Sequence, residues 1–430
     1  IRAKRGAGLR FLTETITSPT LAAQMKQILT DFPEAKRHQY EPVNRDNARA
    51  GAIMAFGQDV HTTYDFSKAD RILSLGSDFL NGHPENLRYA RDYARRRGID
   101  RDKTEMNRLY VIESTPTLTG ANADHRFPVK PSEIMKSIGL AIIQSFGKTQ
   151  ANAPKLVPVV WLNAVQQDLI NHRGSSIVIV GADQPDYVHA MGHAMNDWLG
   201  NVGKTVFYTD PIEANSVAQT QSLRELVNDI DSGKVETLFI IGGNPAYNTP
   251  IDLRLDLNRL NKVKLRAHLS LYNNETSDIC HWHIPAAHYL ESWGDTRTFD
   301  GTVTLVQPLI APLYDGKTAH EMLALFSDNY DKKPYEIVRE YWRSAGGRVS
   351  GVGSSQTPSS SPSPVVTPTP ASTQNAGGTP ANRPTAHPSA AAAPGTPGDA
   401  GAPTAGSSTD FDSSWRKWLH DGFIPNTSLP

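Results

Sequence analysis

Short apolar runs punctuated by glycine set the rhythm of this chain. RILSLG (71–76), RLYVIE (108–113), SIVIVG (176–181), KTVFYT (204–209), ETLFIIG (236–242) and VKLRAHL (263–269) are β-branched or apolar stretches, several ending in Gly. Helical patterns such as PENLRYARDYARRRG (84–98) and SEIMKSIGLAIIQSF (132–146) lie between them. Short, continuously apolar strands alternating with helices predict a parallel sheet covered on both faces, so the fold class is α/β.

The pattern also repeats. One unit runs strand, Gly76-Ser-Asp78, a helix opened by Pro84, a second strand, then PTLTGANADHRFPVKP (116–131). The other runs strand, Gly242-Gly-Asn244-Pro, a helix, a second strand, then NNETSDICHWHIPAA (273–287). Both end with Thr, a short polar gap, Asp124 or Asp278, and a short strand finishing at proline. Two copies of one unit predict two Rossmann-like lobes with mostly parallel sheets. A ligand crevice is expected at the carboxyl ends of the strands. The expected division is a first lobe over 1–135 and a second over 136–343.

From Arg343 to Asp410 there is no aromatic residue and no Leu, Ile or Met. A stretch dominated by Ser, Pro, Thr, Ala and Gly cannot bury enough apolar surface to offset its ordering entropy. A disordered linker is expected over 344–410. After it, FDSSWRKWLHDGF (411–423) regains aromatics at helical spacing, which predicts a short amphipathic docking helix within 411–430.

The 43 basic and 44 acidic residues nearly cancel, which removes any bulk-charge argument for nucleic acid or anionic lipid. No apolar run approaches the roughly 20 residues of a membrane helix. A single cysteine excludes an internal disulfide and an iron–sulfur cluster built wholly from this chain.

That cysteine sits in CHWHIPAAH (280–288), with His281, His283 and His288 close by. On a strand, Cys280 and Trp282 face one way while His281 and His283 face the other, so four ligands do not converge. Buried or interface histidines are the expected reading, and no metal site. In GADQPDYVHAMGHAMNDW, Asp183, Asp186, His189 and His193 share helical spacing but lack the adjacent Glu of a metalloprotease motif. The basic run 89–103 reads as a solvated helix face, with docking of an acidic partner as the alternative. The turn Gly242–Pro245 suits phosphate binding through exposed amides, or serves only as a tight turn. Glu113, Ser114 and Thr115 end a strand where dinucleotide folds contact a ribose or a base.

GGNPAYNTP and NETSDICHWHIPAAHYLESWGDTRTFDGTVTLVQP resemble the central domains of the molybdopterin oxidoreductases, where such stretches flank a pterin dinucleotide. Four separated blocks carry a narrower resemblance: RFLTETITSPTLAAQM (10–25), HQYEPVNRDNARAGAIMAFG (38–57), VIESTPTLTGANADHRFPVKPSEI (111–134) and ESWGDTRTFDGTVTLVQPLIAPLYDGKTAHEML (291–323). These are similar to the molybdopterin-like part of the iron–sulfur subunit of bacterial alternative complex III, a respiratory or photosynthetic quinol-oxidising assembly. The resemblance implies a non-catalytic, molybdopterin-like scaffold, peripheral at the periplasmic face of the cytoplasmic membrane. It implies no cofactor in this chain, iron–sulfur clusters in an adjoining domain and haems in partner subunits. The implied partners are a multihaem cytochrome c subunit, that iron–sulfur domain and polytopic quinol-binding membrane subunits, with no nucleic acid. The alternative is a catalytic molybdopterin-dependent oxidoreductase subunit, whose pterin would meet Glu113, Ser114, Thr115, Gly242, Gly243 and Asn244. On the scaffold reading no residue is catalytic, and Tyr247, His268 and Tyr272 are expected to fill the pterin's space.

Overall fold

Two parallel sheets, one nested within the chain path of the other, form the body of the protein in a computed structural model that describes residues 1–99, 104–134, 158–344 and 408–430. The first sheet opens with β1 (Leu9–Thr13), buried along its whole length, and β2 (Lys36–Gln39). Between them runs α1 (Pro19–Asp31). Its start is written locally: Pro19 is pre-set for the first turn and the Ser18 hydroxyl accepts from the Leu21 N–H at 3.0 Å.

The chain then departs through α2 (Asp46–Phe56) and β3 (His61–Tyr64) to build the second sheet. That excursion comprises β4 (Arg71–Leu75), α3 (Asn86–Arg97), β5 (Arg108–Glu113), β6 (His125–Pro128), α4 (Val159–Asn171), β7 (Ser176–Val180), α5 (Asp186–Trp198) and β8 (Val206–Thr209). Helix α6 (Gln219–Asp231) returns to the first sheet, which gains β9 (Thr237–Ile241), β10 (Leu265–Ser270) and β11 (Trp282–Pro285). A small antiparallel sheet of β12 (Gly294–Arg297), β13 (Val303–Val306) and β14 (Phe423–Ile424) follows, flanked by α7 (Pro334–Ser344) and α8 (Ser408–Asp421).

The strand orders are β11-β10-β9-β1-β2 and β6-β5-β4-β7, parallel throughout. The expected α/β fold with two Rossmann-like lobes is present. All six strands read from apolar runs exist, but 204–209 supplies β8, which pairs antiparallel with β3 outside the large sheets. A boundary at residue 135 does not separate the lobes. Strands β1 and β2 hydrogen-bond into the sheet of β9 to β11, while β7 joins β4 to β6. Sequence order cannot reveal this nesting, because a strand's partners are chosen by tertiary packing.

The duplicated unit is visible in hydrogen bonds. Asp78 accepts from the Thr119 N–H at 2.9 Å and its hydroxyl at 2.7 Å. Asn244 accepts from the Thr276 N–H at 3.3 Å and its hydroxyl at 2.8 Å. In each lobe the polar residue after the first strand clasps the loop that follows the second.

Residues 135–146 of the expected helix and 345–407 of the expected linker lie outside the described residues. The docking helix docks on its own chain. Trp415, 2% exposed, packs with Trp342, Val338 and Val303, and β14 pairs with β13. In the basic run 89–103, where it is described, Arg96 and Arg97 pair with Asp70 and Asp124, while Arg91 and Arg95 lie beside Asp92 with their side chains mostly exposed. Among the described residues no helix is long and apolar enough to cross a membrane.

Candidate functional site

In an open parallel sheet, ligands settle where the chain's progression across the sheet reverses. The first sheet reverses between β9 and β1, and the second between β4 and β7. A cavity lies at the carboxyl end of each pair.

The first cavity, about 500 Å³, is lined by Glu14 and Thr15 beyond β1, by Gly242, Gly243 and Asn244 beyond β9, and by Tyr272 and Lys317. The sequence offered its glycine turn as a phosphate site or as a tight turn alone, and in the structure the amides are largely engaged. The Gly242 N–H donates to the Leu269 carbonyl at 2.9 Å, and the Ala246 N–H to the Thr276 hydroxyl at 3.0 Å. Pro245 has no N–H to offer. The Gly243 N–H faces the Glu14 carboxyl. Glu14 stays at the solvent-exposed rim, but desolvation of its carboxyl and the charge of Glu41 push its pKa up, against the lowering effect of Gly243. Asn244 is clasped to Thr276 and donates to Glu275 at 2.7 Å.

Gly242 has φ 75°, and a Cβ there would collide with Glu14 Oε2. Gly242→Ala is therefore expected to cost about 1–2 kcal/mol, mainly from left-handed backbone, while pushing Glu14 off the turn. Urea unfolding checks this; an unchanged midpoint would remove the strain argument.

The other marked residues lie on the second lobe. Glu113 is 4% exposed and accepts from the Thr117 hydroxyl at 2.7 Å while pairing with Arg126. Ser114 and Thr115 are exposed on the loop beyond it. Neither group joins Gly242–Asn244 in one cavity. The expected filling by Tyr247, His268 and Tyr272 is corrected. Tyr247 and Tyr272 are 74% and 76% exposed, and His268 is wholly buried behind the turn, 3.4 Å from the Gly242 carbonyl. Tyr272 borders the cavity as part of its exposed rim, and Tyr247 is not among its lining residues.

In CHWHIPAAH the histidines diverge. His281 Nδ1 accepts from the Arg266 N–H at 3.0 Å, His283 Nδ1 lies 2.9 Å from the Ser277 hydroxyl, and His288 Nδ1 accepts from Leu290. Burial pushes the Cys280 thiol up to about 11, which disfavours the thiolate a metal needs. Among the described residues no group of three or more His, Cys, Asp or Glu is placed to hold a metal ion.

The second cavity, about 300 Å³, lies beyond β4 and β7 and is lined by Arg45, Tyr64, Ser77, His83, His189 and Phe299, among others. Its floor is tight: a Cβ on Gly181 would collide with the Gly76 carbonyl. His189 and His193, singled out by spacing, both face inward from α5 and are buried. Desolvation lowers both pKa values to about 4, so the rings are neutral at pH 7. Glu14, Arg45 and His83 carried no sequence signal of their own. Only the position of Glu14, directly after an apolar run, could have pointed to it.

No family model matches the sequence, and no curated protein matches it. In structure the chain is similar to acetylene hydratase from Pelobacter acetylenicus, with a TM-score of 0.56 at 12% identity over 77% of this chain. The chain spans 57% of that protein's length. It is also similar to a chain of the formyltransferase/hydrolase complex of Methylorubrum extorquens solved with methylofuran. There the TM-score is 0.50 at 12% identity, over 77% of this chain and 94% of that one. At such identity the likeness shows the fold alone.

Proposed function

We propose that this chain is a non-catalytic, molybdopterin-like scaffold of a membrane-associated quinol-oxidising complex of the alternative complex III type, with no redox cofactor of its own. The observation that carries the reading is the state of the Gly242–Pro245 turn. A dinucleotide phosphate needs free amides and a site clear of negative charge. Here two amides already have protein acceptors, proline removes a third, and the next faces Glu14 with Glu41 nearby. Glu113 and Asn244 are likewise held by their own loops. These residues do not fit a pterin dinucleotide.

The four sequence blocks support the choice of complex, and the distantly molybdopterin-like fold supports the scaffold role. On this reading the chain sits at the periplasmic face of the cytoplasmic membrane. It contacts a multihaem cytochrome c, an iron–sulfur domain and polytopic quinol-binding subunits. A catalytic molybdopterin subunit is the second reading, favoured by one observation: the first switch-point crevice is open rather than plugged by aromatic rings.

Elemental analysis and pterin fluorescence on the complex purified from its native membranes separate the two. The expected result is no molybdenum, no tungsten and no pterin released on denaturation, with haem proteins co-purifying. Stoichiometric pterin with either metal would restore the catalytic reading. A chain never found with membranes or haem proteins would sink the assignment to the complex.

A further inference from the structure

The second switch-point cavity carries chemistry that the scaffold role does not use. Arg45 is half-buried there, in contact with His61 Nε2 and with its guanidinium carbon 5.3 Å from the centre of the Phe299 ring. The carboxylates of Asp46, Asp59 and Glu213 pair with Arg49 instead. Among the described residues none comes within ion-pair distance of Arg45. Glu213 and Asp59 act on Arg45 only from beyond ion-pair distance, so its guanidinium keeps donors free for an anion in a desolvated crevice.

The imidazoles define which anion. His83 Nδ1 accepts from the Glu85 N–H at 3.2 Å, so in the neutral ring Nε2 carries the proton and is a donor. His189 is 7% exposed, and one ring nitrogen faces the Gln184 carbonyl. Its Nε2 is buried with no partner, so in the neutral ring it is a bare acceptor. Burial keeps both rings neutral at pH 7, with His83 lowered to about 3 and His189 to about 4. Within the cavity's lining Arg45 supplies a cation, His83 an N–H donor and His189 Nε2 an acceptor, while the Asp78 carboxylate that also lines it accepts from the Thr119 N–H and hydroxyl. A fully deprotonated oxyanion would leave the acceptor facing another lone pair. An oxyanion that retains a proton satisfies all three.

We propose that this cavity binds a small protonated oxyanion of the hydrogenphosphate class, with Arg45 matching its charge, His83 donating and His189 Nε2 accepting. At about 300 Å³ the space suits an inorganic-sized ion with a few waters and sits at the lower limit for organic ligands. Its lining includes none of Glu113, Ser114, Thr115, Gly242, Gly243 and Asn244, the residues a pterin would meet.

Calorimetric titration and thermal unfolding of the full chain test it, with sodium phosphate, sodium sulfate and sodium chloride at matched ionic strength and about pH 7. Phosphate is expected to bind at one site and raise the unfolding midpoint. Sulfate, which has no proton to give, is expected to bind at least about fivefold more weakly. Arg45→Gln should weaken phosphate binding by about tenfold or more. Arg45→Lys, which keeps the charge but loses the fork, should fall between and guards against a folding defect. Phosphate acting no differently from chloride, sulfate binding as well as phosphate, or undiminished binding by Arg45→Gln would each overturn the proposal.

Discussion

Acidification below about pH 6 is expected to unfold this protein well before its carboxylates protonate. His38, His61, His189 and His193 are all less than 9% exposed. Burial lowers their pKa values from 6.5 to about 4, about 2, about 4 and about 4. The direction follows from where the protons go. Between pH 6.5 and about 4 the unfolded chain takes up protons that the folded chain refuses. Their contribution to stability is therefore whole above 6.5 and lost as pH falls through that window. Each such histidine removes up to about 1.4 kcal/mol per pH unit, against a total stability of roughly 5–15 kcal/mol. Aspartates held low by cationic partners, such as Asp124, Asp168 and Asp229, lose their contribution only further down, below their ordinary range. Urea midpoints recorded at intervals from pH 7.5 to 4.5 should fall steeply below 6. His193→Phe, filling the space against Phe56 and Tyr208, should shallow that slope by about one proton. A midpoint flat across the window would refute the neutral buried imidazoles.

Arg49→Met is the second large effect, expected to cost about 3–5 kcal/mol. The Arg49 side chain is 6% exposed and joins α2 to the 213–217 segment that leads back to the first sheet. Its guanidinium bonds Asp59 at 3.0 Å, Asp46 at 3.3 Å, the Val217 carbonyl at 2.6 Å, and Glu213. Truncating the cation leaves Glu213, also 6% exposed, as an uncompensated buried carboxyl. Burial already pushes its pKa up while Arg49 and Arg45 hold it down. Removing both, as Arg49→Met with Glu213→Leu, should recover part of the loss, because the most buried of the carboxylates goes with the cation and only the more exposed Asp46 and Asp59 stay behind. Denaturant titration of the three variants measures the coupling. A single Arg49→Met variant within about 1 kcal/mol of the parent would show the cluster to be dispensable.

The elements themselves were legible where local chemistry decides them. Apolar runs marked β4, β5, β7, β9 and β10, those of β4, β7 and β9 ending in glycine, and Ser18 with Pro19 marks the start of α1 in the same local way. The duplicated unit was readable because the same clasp, Asp78 on Thr119 and Asn244 on Thr276, demands the same residue types at matching positions. Strand alternation separated Cys280 from His281 and His283 in the sequence, but the separate partners of the three histidines, the Arg266 N–H, the Ser277 hydroxyl and the Leu290 N–H, appear only in the structure.

Other features belong to tertiary structure alone. Helix α6 has no side-chain cap of its own; its first amides donate to Asp46, at 2.8 and 3.0 Å, from 173 and 174 residues upstream. Glu14 meets the Gly242 turn only because β1 pairs with β9 across more than two hundred residues. Arg45, His83 and His189 share a cavity only because β4 and β7 are neighbours. Composition and periodicity act over a few residues, through backbone geometry and the facing of side chains, and so they determined strands, turns and fold class. Which strands become neighbours is set by burial summed over whole lobes, and that choice decided where the crevices open and which charges face them.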